Sequence, residues 1–563
     1  MTADGLKVLI LGGYGTFGGR LAQLLADEKD LTLIIAGRSR ASAHAFSTNL
    51  RSAAIVLPAV FDRDGDLERQ LQQIRPNVIV DVSGPFQIYG ADPYRVVRAA
   101  LALGINYLDF SDGAGFVKGI AQFDEQARAR GVFVLSGVSS FPVLTAAVVR
   151  RLATGMARLD SVTAGIAPSP YANVGINVIR AIASYAGKPV LMIRDGRKAT
   201  GHALIETRRH TIAPPGRLPL DPIRFSLVEV PDLRVLPDLW PGLRSVWMGA
   251  GPVPEIWHRA LNMLAWAVRL KLLRSLSPFA PLMYRTMNAL SWGEHRGGMF
   301  VTVEGAGPDG QRIERSWHLL AEGEDGPLIP SMAAEAIIRH CLAGHPPAAG
   351  ARAAATDLEL ADYEALFARR RISTGRWQTL PAPARSPLYQ RLLGEAWLLL
   401  PEAVRAMHDL DAELTAAGFA TIERGKGVLA RLVAWLFRFP QPGRDIPVAV
   451  SFCVREGREH WQRTFAGRSF STMQEAGRGR FERLLCEWFG PLKFGLALVL
   501  EDGHLRLVVR RWSLGGIPMP RAWAPRGNSY EFAEDGRFRF HVEIGHPCTG
   551  LIVGYRGWLA PRR

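Results

Sequence analysis

Gly12, Gly13, Gly15 and Gly18 stand between an apolar run, Leu6-Lys7-Val8-Leu9-Ile10-Leu11, and the helically spaced Leu21, Leu24 and Leu25. The glycines fit G-x-G-x-x-G from Gly13 to Gly18, and equally G-x-x-G-x-x-G from Gly12. Such glycines give a tight turn, a backbone that a pyrophosphate can approach, and a helix start packed hard on its strand. The free N–H groups and positive dipole end of the helix supply an anion site. With Tyr14, Thr16 and Phe17 completing the turn, Gly12 to Gly18 reads as the phosphate cradle of a dinucleotide. About twenty residues further on, the apolar Leu31 to Ala36 runs into Gly37-Arg38-Ser39-Arg40. A carboxylate there accepts hydrogen bonds from a ribose 2′-OH and repels a 2′-phosphate, whereas a guanidinium binds that phosphate bidentately. Arg38 and Ser39 therefore point to NADP rather than NAD.

Alternating strands and helices must hold these residues. Ala41 to Leu50 reads as a helix and Ala54 to Phe61 as a third strand ending at Asp62. The Asp62 carboxylate either sits by the adenine edge or caps the helix that begins near Leu67. Pro76 to Val82 is a fourth strand, closed by Ser83-Gly84-Pro85-Phe86-Gln87-Ile88-Tyr89-Gly90. A helix over Pro93 to Leu103, a strand over Gly104 to Phe110, a helix over Val117 to Arg130 and a strand over Val132 to Gly137 follow. The alternation predicts a parallel, doubly wound α/β sheet.

Ser83-Gly84-Pro85-Phe86-x-x-Tyr89-Gly90, then Gly104-x-x-Tyr107-x-Asp109, then Gly137-Val138-Ser139-Ser140-Phe141-Pro142, resemble the NADP-binding module of the saccharopine dehydrogenase-like family. The resemblance is good from Leu6 to about Arg151 and looser to about Arg376. It implies a Rossmann fold, phosphate binding at Gly12 to Gly18, 2′-phosphate binding at Arg38 and Ser39, and nicotinamide-side backbone contacts at Ser83, Gly84 and Pro85. The family spans saccharopine chemistry, trans-acting enoyl reductases of lipid biosynthesis and membrane-associated oxidoreductase-like proteins. It therefore leaves the substrate open.

Residues 152–330 take the place of an inserted α+β substrate and dimerisation domain, with strands over Leu159 to Ala167, Phe300 to Glu304 and Ile313 to Leu320. Within it, Trp240 to Trp292 carries five tryptophans and the apolar run Leu261 to Val268, followed by Arg269, Lys271 and Arg274. The run is too short to span a bilayer, which needs about twenty apolar residues. Two placements fit: an interfacial helix, or a helix buried between domains or in a dimer interface, and the buried one is preferred. Residues 331–376 return to the first domain through a helix from Ser331 to Cys341, an Ala-rich loop over Ala348 to Ala355, and Leu358 to Arg371. Residues 377–385, with Pro381 and Pro383, have linker composition.

From residue 386 to 563 a second region begins. Tyr389 to Gly418 reads as helices and Gly427 to Phe439 as a short, amphipathic, basic one. Strands follow over Val448 to Arg455, His460 to Phe465, Phe494 to Leu500, Leu505 to Trp512, Tyr530 to Ala533, Phe538 to Ile544 and Leu551 to Tyr555. Glu501-Asp502-Gly503-His504 and Glu534-Asp535-Gly536-Arg537 are hairpin turns. This mostly antiparallel β region resembles a domain of unknown function fused behind such modules in bacteria. The resemblance rests on Trp461-Gln462-Arg463-x-Phe465, Leu514 to Pro520 and Gly554 to Leu559, and it brings no activity with it. His460, His541 and His546 read as ordinary sheet residues.

At 563 residues the chain exceeds one core, and 48% hydrophobic with 21% charged residues is a globular composition. The balance is basic, 68 Lys and Arg against 52 Asp and Glu. The cations are scattered and form no nucleic-acid motif, so nucleic-acid binding is set aside. Attraction to an anionic surface fits better. Cys341, Cys453, Cys486 and Cys548 lie far apart without metal-ligand spacing, which suits a reduced compartment and no metal. A strand starts within a few residues of the N-terminus, so a cytoplasmic protein is expected, peripheral to the inner membrane and dimerising with itself where the tryptophan-rich segment allows.

Hydride transfer to or from a nicotinamide needs a proton donor or acceptor nearby. Tyr89 and Asp112 lie at strand ends, and Ser139 and Ser140 open a helix. No catalytic residue is singled out among them. Arg194, Arg197 and Lys198 suit a substrate with several carboxylates, but the tryptophan-rich segment suits an apolar one. The expected activity is NADP(H)-dependent reduction of a hydrophobic acyl or isoprenoid-like small molecule. The alternatives are a saccharopine-type amino-acid dehydrogenase and a scaffold that holds NADP without turning it over.

Overall fold

The computed structural model describes residues 5–289, 292–379 and 386–562, and they fall into two compact units. Unit one comprises residues 1–210 and 223–373; unit two comprises 211–222 and 374–563.

Unit one opens with β1 (Leu6–Leu11), α1 (Thr16–Leu24), β2 (Leu31–Gly37), α2 (Arg40–Asn49) and β3 (Ile55–Val60). Then come α3 (Leu67–Ile74), β4 (Val78–Asp81), α4 (Arg95–Ala102), β5 (Asn106–Asp109) and β6 (Phe133–Ser136). The sheet order is β6-β5-β4-β1-β2-β3, and every pairing is parallel. Both faces are covered, which is why β1, β2 and β4 are continuous apolar runs with Val8, Leu9, Ile10 and Ile79 fully buried.

Gly350–Ala353 adds a seventh parallel strand beside β6. The Ala-rich stretch expected to be a loop is thus part of the sheet. Its small side chains carry little strand propensity, but the backbone finds a ladder on one side and the Asp124 carboxylate, 2.8 Å from the Ala351 N–H, on the other. The expected helical return is present as Ile329–Leu342. It lies on α1, with Ser331 Oγ donating to the Phe17 carbonyl at 3.3 Å and Arg339 to that of Leu24 at 3.0 Å.

The second sheet of this unit is mixed. Arg158–Ala167 pairs parallel with Ser245–Ala250 and antiparallel with Arg296–Ala306, which continues to Arg312–Glu322. The three strands expected here are present. Others were not legible: Thr207–His210, Ile223–Leu227, Ser245–Ala250 and the hairpin Pro189–Arg194/Arg197–His202.

The expected substrate domain is also not continuous, because Thr211–Pro222 belongs to unit two. There the Ala213 carbonyl accepts from Trp377 Nε1 at 2.7 Å, the Gly216 carbonyl from Leu500 N–H at 2.8 Å, and Asp221 pairs with Arg511 at 3.2 Å. A cut at Pro381–Pro383 therefore leaves the C-terminal piece without a segment that it packs. Of the expected linker, 377–379 ends the strand Ile372–Thr379, and 380–385 lies outside the described residues.

Unit two begins with short helices, Leu388–Leu393 and Glu402–His408. The expected helix then fails: Glu413–Arg424 is a strand. Its alanines favour a helix, but Ala416, Ala420 and Ile422 alternate inward and the strand lies between two long partners, Gly443–Arg455 and Gly550–Arg562. Tertiary pairing overrides propensity here. Both expected hairpins form, with Asp502 and Gly503, and likewise Asp535 and Gly536, at the positive φ that such turns require.

The ladder then closes. Leu492–Glu501 pairs with Leu485–Phe489 on one side and with His504–Leu514 on the other, making a ten-stranded antiparallel barrel. Eight strands leave room only for side chains or one small ligand, and more strands widen the lumen. This lumen measures about 1030 Å³. An empty apolar space costs about 24 cal/mol per Å³, so a dry void of that size would cost roughly 25 kcal/mol. That exceeds the whole stability of an ordinary domain, about 5–15 kcal/mol. The lumen is a compartment to be filled, not a packing defect.

Candidate dinucleotide and substrate site

In unit one the strand order reverses between β1 and β4, and a doubly wound sheet opens its ligand crevice there. The glycine turn fills this position. Gly12 has φ +76°, and a Cβ on it would meet the Val82 carbonyl at 3.0 Å and Ser83 Cα at 3.2 Å. Gly18 lies so close under Gly12 and Gly13 that any side chain collides with their backbone. Gly15 differs: it is exposed, has extended backbone (φ −81°), and a Cβ would touch only the Gly12 carbonyl at 3.0 Å. It caps α1 without a side chain, and first-turn N–H groups have no acceptor of their own helix. Gly15 is therefore the position where an anionic group can reach the backbone.

Tyr14 ties this turn to β2. Its ring lies against Gly37, where a Cβ would overlap it, and its hydroxyl accepts from the Ser39 N–H at 3.1 Å. Ser39 caps α2 by accepting from the Ser42 N–H at 3.2 Å, while Arg38 projects to solvent and no described carboxylate pairs with it. Asp62 stands one strand further out. Its carboxylate accepts from the Asp64 N–H at 3.0 Å, and the cap of α3 is Asp66, which accepts from Arg69 N–H at 3.1 Å. The capping alternative for Asp62 is overturned, because the helix starts one residue after an acid better placed to cap it.

On the other side of the turn, Ser83, Gly84 and Pro85 are held by a buried network. Asp81 accepts from the Ser83 hydroxyl at 2.5 Å and from the Ser83 N–H at 3.0 Å. The Tyr89 hydroxyl lies 2.9 Å from that of Ser83, and Tyr107 reaches the other Asp81 oxygen at 3.4 Å. Asp109 accepts from the Ser111 N–H, the Ser136 hydroxyl and the Gly137 N–H, each at 2.9 Å. Burial pushes the Asp109 carboxyl up to about 7 against those hydrogen bonds. The residues that carry the family resemblance thus lock three strand-end loops together. Tyr89 is part of that lock; burial and then Asp81 raise its phenol far above the ordinary range.

Beyond the network lies a pocket of about 400 Å³ lined by Phe86, Tyr89, Tyr94, Asp112, Tyr185 and Glu229, among others. Asp112 accepts from Gln87 Nε2 at 2.7 Å, and burial raises its carboxyl. Burial also raises Glu229, opposed by Arg234 at 3.8 Å and reinforced by Asp112. Ser139 and Ser140 do not line this pocket. Tyr185 and Glu229 carry no motif and lie in the inserted region, so no signal in the chain marks them. The helix Ile176–Tyr185 brings Tyr185 in: Asn177 Nδ2 donates to the Gly84 carbonyl at 2.7 Å, and Gly175 lies against Thr16. Glycine turn, Ser83–Pro85 loop and acid-lined pocket are therefore contiguous.

Residues 8–135 match the family described as the saccharopine dehydrogenase NADP binding domain. The first domain is of that family. Residues 400–559 match a second family, Domain of unknown function (DUF4166). No curated protein matches the chain. Among solved structures, the chain is similar to apo saccharopine dehydrogenase (L-Glu forming) from Saccharomyces cerevisiae, at 13% identity and TM-score 0.46. That match covers 67% of this chain and 100% of the yeast one. It is similar also to GenD2 from gentamicin A biosynthesis in complex with NAD (13%, TM-score 0.27, 56% and 73% covered). A third is a probable dehydrogenase from Thermotoga maritima (10%, TM-score 0.31, 61% and 91% covered). Residues 8–135 are thus a nicotinamide-dinucleotide-binding domain of the saccharopine dehydrogenase type.

In the single chain one face of the tryptophan-rich helix Glu255–Arg269 is uncovered: Met263 is 69% and Leu272, just beyond it, 75% exposed, and Ile256, Trp266 and Leu270 are exposed as well. Such a face suits an interfacial helix and a dimer interface alike. Only His258, Ala265 and Val268 of this helix are covered. His258 faces inward, its Nε2 2.7 Å from the Ser226 hydroxyl, and burial lowers it to about 4. Arg269, whose guanidinium lies 5.6 Å from the Trp266 ring centroid, and Lys271 and Arg274 beyond the helix end are also exposed. No helix among the described residues is long and apolar enough to cross a membrane.

Proposed function

We propose that the enzyme is an NADPH-dependent reductase of an apolar, acyl- or isoprenoid-like molecule, working against an anionic membrane surface. The exposed face of Glu255–Arg269, with Met263, Trp266 and Leu270 beside Arg269 and Lys271, carries this reading. Buried apolar area and positive charge together are what a peripheral helix offers an anionic lipid surface.

Gly12 to Gly18 and the first turn of α1 hold the pyrophosphate. Arg38 with the Ser39 hydroxyl holds the 2′-phosphate, Asp62 borders the adenosine, and Ser83, Gly84 and Pro85 border the nicotinamide. When bound, the cofactor supplies the hydride. Asp112 and Glu229 hold a proton nearer neutral pH than an exposed carboxyl does, because burial disfavours their charge. That is the property required of a proton donor to a reduced carbonyl or alkene. Of the three cations a tricarboxylate substrate would need, Arg194 is paired with Glu206 at 2.5 Å, and the exposed Arg197 and Lys198 do not line the acid-lined pocket. This disfavours the amino-acid dehydrogenase reading.

Two measurements test this. NADPH binds more tightly than NADH, and Arg38→Asp costs NADPH about 1.5–3 kcal/mol, the range for losing a charge-assisted contact. Equal wild-type affinities for the two cofactors would remove the NADP assignment. In vesicle co-sedimentation, the pelleted fraction rises with anionic lipid and falls with salt, which screens such attraction within about 10 Å at 0.1 M. Reversing the charges of Arg269, Lys271 and Arg274 releases the protein; pelleting indifferent to lipid charge and salt would count against surface action.

A further inference from the structure

The barrel of unit two is plugged at one end, and its ladder is broken along one side, where a loop tied to Leu507 and Gly545 spans the break. The strand ends at Arg455, Glu501 and Glu534 share the end that the segment Leu388 to His408 plugs. Tyr389 there donates to Gln474 Oε1 at 3.1 Å and stacks on His408, whose Nε2 lies 2.5 Å from Glu531. The chain continues along the wall with Gln474 to Glu487 at 3.2 Å and Arg463 to Thr472 at 2.8 Å. This polar strip orders the closed end, with His408 Nδ1 left buried and without a hydrogen-bond partner among the described residues. The rest of the wall is apolar, with Phe439, Phe452, Phe465, Leu496 and Phe540 among the lining residues.

The break arises from one short strand. Tyr530–Glu534 bonds its neighbour His504–Leu514 only at Leu505 and Arg506, although it pairs over five residues with Arg537–His546. Where that ladder stops, the loop Arg521 to Ser529 crosses the gap and lines the lumen. Arg506, which donates to Asn528 Oδ1 at 2.9 Å, and Arg526 border the gap near one another, whereas Arg521 follows Pro520, whose carbonyl accepts from Trp512 Nε1, about 20 Å further along the strand. Against them stand Glu543 and, on Arg506 at 3.5 Å, Glu501. The helix Val428–Leu436 follows the strand that ends at Arg424. Val433 lines the lumen, and Val428 and Trp435 are 82% and 70% exposed.

We infer that the barrel is a binding compartment for one long-chain anionic amphiphile, its hydrocarbon in the lumen and its head at Arg506 and Arg526. The volume carries the class: about 1030 Å³ is at the upper end of the roughly 300–1,000 Å³ of small-molecule sites. An apolar wall with polar groups gathered at one break orients a molecule that is itself apolar at one end and charged at the other. Guanidinium groups select a carboxylate or phosphate head. The inference stands on the second unit alone and does not depend on the reductase reading.

Dibromostearate added to the full-length protein tests it, because bromine quenches tryptophan only at contact and Trp461 lines the lumen. One equivalent quenches the wild type, and the increment is missing once Trp461, Trp512 and Trp523, the tryptophans that line the lumen, are all replaced by Phe. Unlabelled palmitate competes, and the Arg506→Glu/Arg526→Glu pair weakens palmitate about tenfold, the size of one lost charge-assisted contact. Hexadecanol binding stays unchanged in that pair. Quenching equal in the wild type and in that triple variant would place the ligand on an outer patch and overturn the inference. So would no quenching at all. Palmitate and hexadecanol weakened alike would overturn the anionic head.

Discussion

Gly15→Val abolishes NADPH binding while both units stay folded. The reason lies in how unequal the four motif glycines are. A side chain at Gly18 meets the Gly12 carbonyl and Gly13 Cα, and Gly12 has a φ of +76°, so substitution at either disturbs the turn itself. Gly15 has neither constraint. Its backbone is extended and its surroundings are open apart from one carbonyl at 3.0 Å. Valine is accommodated by the protein but occupies the ground a pyrophosphate needs in order to reach the first-turn amides. Calorimetry should show affinity falling by at least about 100-fold, some 2.7 kcal/mol, with an unchanged circular dichroism spectrum. Gly18→Val, by contrast, lowers the melting temperature of unit one. Unchanged NADPH affinity in Gly15→Val would mean that the turn is only structural.

The second large effect is a stability that falls as pH rises. Asp109 and Asp232 are fully buried, and burial raises both carboxyls from an ordinary 3.8 to about 7. Between roughly pH 4 and 7 the folded chain holds these two protons and the unfolded chain has released them. Unfolding then sheds protons, so the contribution of each group is most favourable below pH 4 and is lost as pH climbs to 7. A shift of this size corresponds to about 4 kcal/mol per group. Asp232 tests it cleanly, because Asp109 accepts three hydrogen bonds that an amide would break. Asp232→Asn should raise the melting temperature of unit one at pH 8 relative to wild type and lose that advantage at pH 5. A difference between the two proteins that does not vary with pH would show that Asp232 ionises freely in the fold.

Much of the first sheet was legible because both its faces are covered. β1 and β2 must then be unbroken apolar runs, and the turn between β1 and α1 must be glycine. The glycine turn was legible for the same reason, since a local backbone requirement leaves a local signature. Tyr185 and Glu229 were not, because they reach the pocket from a helix and a loop of the inserted region and nothing near them in the chain announces it. Glu413–Gly418 was misread because alanine and glutamate favour a helix, and only two flanking strands far along the chain make it extended.

The amino-acid sequence by itself thus determined a doubly wound nucleotide domain, its glycine turn, and an antiparallel β region behind it. Those properties depend on residues within a few turns of one another. Three others belong to the tertiary structure alone: the excursion of Thr211–Pro222 into the second unit, the exposed apolar face of Glu255–Arg269, and the closure of ten strands around an open lumen. Alternation of apolar and polar residues says that one face of a strand is covered. It does not say whether a helix, a second sheet or an enclosed ligand covers it, since each removes the same side chains from water.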